Sequence, residues 1–172
     1  THMREFAGYL DKEGHPLIFV SPFAKLKWVL YGLIALRKVF EKVYPPLAVW
    51  IYREGHSALL SHHLKRVLRK QNDCVIYAQC PLSAHSALTA RRDASQAVMM
   101  VAHFNVSQAD EWIGKGMLSA NSQQAANIRQ FEAYVLPQLD GIVFVSEFMR
   151  STLLQRIPAI QSVPYQVVPN FI

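Results

Sequence analysis

Gly141-Ile-Val-Phe-Val145 is a short apolar run, long enough for one buried strand, and Ser146-Glu-Phe-Met-Arg150 follows it at once. The second segment opens an amphipathic stretch, and Val167-Val-Pro-Asn-Phe-Ile172 closes the sequence. The order is strand, polar turn, helix, strand. In an open α/β sheet, ligands bind just beyond the carboxyl ends of the strands. The polar residues that follow each apolar run are therefore the ones to read for function.

The same grammar extends towards the N-terminus. Asp73-Cys-Val-Ile-Tyr-Ala-Gln79 and Ala97-Val-Met-Met-Val-Ala102 read as strands, and Pro16-Leu-Ile-Phe-Val20 as a further buried strand. Helical spacing covers 2–12, ending near Gly14, then 23–43, 56–70, 83–92, 123–139 and 147–156. Leu60, Leu64, Val67 and Leu68 share one face of the third of these, and Ile128, Phe131, Val135 and Leu139 one face of the fifth. Pro45-Pro46 interrupts the pattern. Residues 47–52 fit either a strand or a helical turn, 104–121 read as a polar irregular loop, and a last strand falls near 165–168. Continuous apolar strands alternating with amphipathic helices predict an α/β fold, a Rossmann-like three-layer domain with a mostly parallel sheet. Such a domain normally opens with a strand and a glycine-rich turn; here the sequence begins at the helix, so that first strand and Gly-rich loop are absent from it.

With 172 residues, 51% of them hydrophobic, the chain has enough apolar material for one core, and disorder is not expected. The length suits one domain or one half of a two-domain protein. The longest clear apolar candidate, Trp28 to Leu36, falls well short of the roughly 20 residues that span a bilayer, and the N-terminus does not read as a signal peptide. Thr1-His2-Met3 is read as part of the protein, because Met3, Phe6, Ala7 and Leu10 already show helical spacing. A formal charge of +6 favours anionic partners. Cys74 and Cys80 would stand at opposite ends of one strand, which disfavours a disulfide and points to a reducing, cytoplasmic location.

The candidate site residues follow from position. His103 stands at the carboxyl end of an apolar strand. Asn105, Ser107, Asp110 and Glu111 come next, with Trp112 among them, and polar groups beside an aromatic platform suit a sugar. Ser146 is a natural N-cap; Arg150 in the same first turn opposes the helix dipole, a conflict that a bound phosphate would resolve. Gln79, Pro81 and Ser83 follow another strand and could line the same cleft. Each has a plainer reading as a cap, solvated loop or connection. Within 23–43, Lys25, Lys27, Arg37, Lys38 and Lys42 bracket an apolar and aromatic stripe, a pattern that suits either a covering helix with a basic edge or an anionic membrane surface. His56, His62 and His63 lack the cysteine or carboxylate neighbours of a metal site, so no metal is expected. The basic residues are dispersed and no nucleic-acid motif is present, so nucleic acid is not an expected partner.

Four segments in register carry a family resemblance. Thr1-His2-Met3 through Gly14-His15 looks like the first helix of retaining glycosyltransferases with the GT-B fold, the family-4-like type, in which a Gly-Gly loop precedes the helix and a Gly-His pair ends it. Ala102-His103-Phe104-Asn105 resembles the strand end where that family places a histidine. Val145-Ser146-Glu147-Phe148-Met149-Arg150 resembles its "VSxxxR/K" turn, and Val168-Pro169-Asn170 its "PN" pair before the interdomain linker. The chain departs from the pattern in lacking the Gly-Gly loop and in having Asn170-Phe171 where Asn-Gly is usual. The resemblance implies that 1–165 is the N-terminal, acceptor-side domain, and that 166–172 is the last strand and start of a linker to a C-terminal donor-binding domain outside this sequence. It implies a nucleotide-sugar donor as substrate, a glycan or lipid-linked acceptor, no cofactor, and a His103 that hydrogen-bonds the transferred sugar or its acceptor. On that reading the fragment alone is inactive, and the whole protein is cytoplasmic, peripheral at the inner face of the membrane. The alternatives are a nucleotide-sugar epimerase of the same fold and a non-catalytic basic module binding membrane or nucleic acid.

Overall fold

Gln-Ala-Val-Met-Met-Val-Ala offers no polar alternation, so a strand of this sequence must be covered on both faces. In the computed structural model, which describes residues 2–22, 27–102 and 107–169, it forms β2 (Gln96–Ala102) in the interior of a four-stranded sheet. Its neighbours are β1 (Cys74–Ala78) and β3 (Gly141–Phe144), with β4 (Tyr165–Val167) beyond β3. All three pairings are parallel, in the order β1-β2-β3-β4. The register sets Ala78 beside Met100 and Phe144 beside Ala102, so β2 projects two residues beyond β1 at the carboxyl edge.

Parallel neighbours need a crossover between them, and the helices supply it. After α1 (His2–Lys12) and α2 (Lys27–Val43) comes α3 (Pro45–Leu68); α4 (Pro81–Ala90) joins β1 to β2, α5 (Gln108–Gly114) and α6 (Gln123–Val135) join β2 to β3, and α7 (Glu147–Arg156) joins β3 to β4. The main core combines Leu60, Leu64 and Leu68 of α3 and the alanines of α4 with Val98, Met100, Ile142 and Phe144 of the sheet and Leu153 of α7. Polar residues stitch the amino edge. The buried Gln96 amide donates to the Leu68 carbonyl (2.9 Å) and the Gln71 carbonyl (2.8 Å), while its oxygen accepts from the Arg92 backbone N–H (2.8 Å). Asp140 accepts from the Val98 N–H (2.7 Å) and from Arg91 (2.6 Å).

The α/β, Rossmann-like reading is correct, and three local expectations are revised. Pro16–Val20 is not a strand: residues 15–21 have no regular structure, and Leu17, Ile18 and Phe19 are exposed. Apolar content alone does not make a strand; a ladder partner does, and this stretch lines a cavity together with β1 without joining the sheet. The irregular 104–121 loop contains α5, started by the Ser107 cap. Residues 45–52 and 56–68 form one helix, because Pro45 and Pro46 occupy its first turn, where no backbone N–H is needed. Gly14 does end α1, in the left-handed conformation (φ 73°) that glycine adopts without strain. Cys74 and Cys80 are free thiols.

Met100 is fully buried at the centre of β2. Met100→Ala is expected to lower unfolding free energy by about 2–5 kcal/mol, whereas Val75→Ala on the exposed flank of β1 changes it by about 0.5 kcal/mol or less. Urea unfolding of both variants checks this; equal losses would contradict the assigned core.

Candidate functional site at the carboxyl edge of the sheet

Because every strand runs the same way, the residues after β1, β2 and β3 collect on one rim. Gln79 follows β1, Ser107 follows the β2 connection and Ser146 follows β3. Each connection enters a capped helix: the Ser83 N–H donates to Cys80 Sγ (3.5 Å), the Ala109 N–H to Ser107 Oγ (3.0 Å) and the Met149 N–H to Ser146 Oγ (3.1 Å). Ser146 is the N-cap its sequence announced. His103 and Asn105 lie outside the described residues.

Ser107 is fully buried, and its hydroxyl is engaged within the protein, donating to Glu132 Oε2 (2.8 Å). Glu132, also fully buried, further accepts from the Gln108 N–H (2.7 Å) and from Arg156 Nη1 (2.6 Å). One carboxylate of α6 thus holds the start of α5 and the end of α7. Arg53 of α3 reaches the same place, donating to Gln108 Oε1 (3.2 Å) and lying 5.0 Å over the Phe131 ring. Burial lowers the pKa of Arg53, and the nearby Glu132 opposes that shift. Two further nitrogens of Arg156, Nε and Nη2, are buried without a hydrogen-bond partner.

Arg150 bonds Glu147 (2.7 Å) and lies 4.9 Å over the Tyr165 ring. The conflict between this cation and the helix N-terminus is therefore met in part by Glu147 in the same first turn. Glu111 and Asp110 stand in the first turn of α5, where Asp110 pairs with Arg129 (2.8 Å). Trp112 is packed, edge-on to Tyr52 at 5.5 Å and against the small cluster of Val49, Ala109 and Leu118.

Sequence reading missed the contribution of α3. Its middle turns bring Tyr52, Arg53 and His56 to the rim. The signal was available: read as one helix, Val49, Tyr52, Arg53, His56 and Leu60 fall three or four residues apart on one side. His56 lines a cavity of about 350 Å³ together with Gln79 and Ser83. Both imidazole nitrogens and Gln79 Nε2 are buried without hydrogen-bond partners. The pKa of Tyr52 is raised, first by burial and then by Cys80, against the pull of Arg37 and Arg53. His63 Nδ1 donates to the Ser21 carbonyl (3.1 Å), and His62 Nε2 accepts from Arg66 (3.3 Å), so the neighbouring histidines are turned to different partners. Among the described residues, no group of three or more His, Cys, Asp or Glu side chains could hold a metal ion.

Two measurements test this geometry. Glu132→Ala leaves Arg156 buried without its counter-ion and is expected to cost about 3–5 kcal/mol; a urea midpoint close to that of the parent would contradict the cluster. Burial holds His56 below the ordinary histidine pKa of 6.5, and His85 likewise, with Glu54 opposing at His85. The unfolded chain then binds these protons more readily than the folded one, so their contribution is complete above pH 6.5 and is lost as pH falls below it. Urea midpoints are expected to decline between about pH 7 and about pH 5, and more shallowly in His56→Gln. An unchanged slope in the variant would show that His56 is accessible to protons in the fold.

No curated protein and no solved structure matches the chain. The family model described as Glycosyltransferase Family 4 matches residues 1–172. A parallel α/β domain with its polar helix starts gathered on one rim, matched along its whole length by that model, belongs to Glycosyltransferase Family 4.

Proposed function

We propose that the chain is the acceptor-side half of a retaining glycosyltransferase that moves a sugar from a nucleotide-sugar donor to a glycan or lipid-linked acceptor. The observation that carries the reading is the whole-chain family match, on a fold whose strand ends and helix starts share one edge. Residues 1–165 form the acceptor-side domain on this reading, and 166–172 lead towards a C-terminal domain that binds most of the donor. The net charge of +6 favours anionic substrates of this kind.

In the proposed reaction the bond between the anomeric carbon and the donor phosphate oxygen breaks, and the electron pair leaves with the phosphate. The acceptor hydroxyl bonds to the same face of that carbon, and its proton passes to the departing phosphate oxygen. Positive charge on the sugar and negative charge on the phosphate then need fixed dipoles more than a strong general base. His103 hydrogen-bonds the sugar or acceptor, Asn105, Glu111 and Gln79 contact the acceptor, and Ser146 and Arg150 face the phosphate side. Ser107 contributes by fixing the start of α5 through Glu132. The cavity beside Gln79, with the unpartnered nitrogens of His56, adds hydrogen-bonding capacity on the acceptor side.

The test is sugar transfer, with product configuration read by NMR. The protein carrying both domains is expected to transfer with retention, and the isolated 172-residue chain to be inactive. His103→Ala in the two-domain protein is expected to lower kcat by about 10²-fold or more. Transfer by the isolated chain, inversion at the anomeric carbon, or donor turnover that needs no acceptor would each overturn the reading.

A further inference from the structure

The first turn of α5 faces the middle of α3, where Trp112 packs on Tyr52 and Gln108 meets Arg53. Gln108, the first residue of α5, is half-buried and held at two points. Its N–H donates to Glu132 Oε1 of α6 (2.7 Å), and its side-chain oxygen accepts from Arg53 Nη1 (3.2 Å). A guanidinium offers donors and no acceptor, so it takes the oxygen of the carboxamide and leaves the nitrogen turned away. Gln108 Nε2 then carries two N–H donors with no partner among the described residues. Glu111, one turn on, is half-buried as well. Its carboxylate bonds no described residue, whereas that of Asp110 pairs with Arg129 (2.8 Å). The backbone of this turn has nothing left to give. The N–H groups of Gln108 and Ala109 go to Glu132 and Ser107 Oγ, and those of Asp110 and Glu111 go to the Ser107 carbonyl. What remains is a pair of side chains on one helix face, an amide donor and a carboxylate acceptor, about 5–6 Å apart at Cβ.

We infer that Gln108 and Glu111 bind two neighbouring hydroxyls of a sugar ring, with Gln108 as a specificity-determining residue and Arg53 and Glu132 as the positioning residues that hold it. A hydroxyl both donates and accepts. One hydroxyl oxygen accepts from Gln108 Nε2, and the adjacent hydroxyl donates to the Glu111 carboxylate. A fixed donor beside a fixed acceptor is the complement of a vicinal diol. A phosphate or carboxylate group would lie against the charge of Glu111, which selects against it. An alkyl chain would cover both polar groups and leave them unmatched. Because Arg53 already sets the orientation of the amide, little rotamer freedom is lost when the ring binds. On the proposed function, on which this assignment rests, the ring belongs to the acceptor, and its binding can be read apart from transfer.

Saturation-transfer NMR on the 172-residue chain, without donor, tests it with the methyl α- and β-pyranosides of glucose, galactose and mannose. At least one is expected to bind, with the strongest saturation on two adjacent ring positions. Gln108→Glu keeps the length of the side chain and its bond to Arg53 while removing both N–H donors, and is expected to weaken binding about 10-fold. Glu111→Gln is expected to weaken it by about 10-fold or more. Gln123→Ala, at the exposed start of α6, leaves binding unchanged. In the two-domain protein, Gln108→Glu is expected to raise the KM for acceptor about 10-fold and to leave the KM for donor as it was. Binding of none of the glycosides, a Gln108→Glu chain that binds as the parent does, or displacement of the glycoside by excess inorganic phosphate would each overturn the inference. Glycoside binding that depends on Gln108, in a protein whose two-domain form transfers no sugar, would uphold the inference and overturn the proposed function.

Discussion

Glu132 carries a carboxylate into the interior, and three segments are arranged around it. Its two oxygens take up the Ser107 hydroxyl, the Gln108 N–H and the Arg156 guanidinium. Charge in a medium of low dielectric is costly unless each oxygen is matched, and removing one partner strands the others. The constraint is positional: α6 cannot shift without moving both the entry to α5 and the end of α7. Those are the elements that follow β2 and β3 at the carboxyl edge, so a single buried acid governs the geometry of the rim.

The two edges of the sheet differ in how their polar groups are satisfied. At the amino edge, Gln96 and Asp140 are fully matched, and Ser95, Asp93, Asn72 and Arg92 form a closed exchange around them. Among the described residues, nitrogens of Arg37, His56, His63, Gln79 and Arg156 are buried without hydrogen-bond partners, and those of His56 and Gln79 lie at the cavity beside the end of β1. Buried polar groups left unmatched cost stability and are therefore uncommon in native folds. The pair formed by His56 and Gln79 lies at the edge where parallel sheets bind ligands. The amino edge holds the fold together, while the carboxyl edge retains hydrogen-bonding capacity.

Much of the fold was legible because its signals are local. The apolar runs at 96–102 and 141–144 have no alternation, which requires cover on both faces, and Ser146 announces the start of α7. Where the sequence misled, the deciding partner lay far along the chain. Pro16–Val20 has the composition of a strand and no ladder neighbour. Ser107 has the look of a loop hydroxyl, yet its position is set by a carboxylate 25 residues away. Trp112 resembles an open aromatic platform and instead packs on Tyr52.

The order of strands and helices, the uniform strand direction and the family follow from the sequence, since periodicity, caps and prolines act within a few residues of where they stand. The site does not follow in the same way. Whether Tyr52, Arg53 and His56 join Gln79 and Ser146 at one rim depends on α3 running unbroken along the sheet, with Arg53 near the carboxyl edge and Leu68 at the amino edge, and whether Glu132 is a surface acid or a buried clamp depends on what packs over it. Both are settled by contacts between residues distant in sequence, which burial and hydrogen-bond matching select and local pattern does not encode.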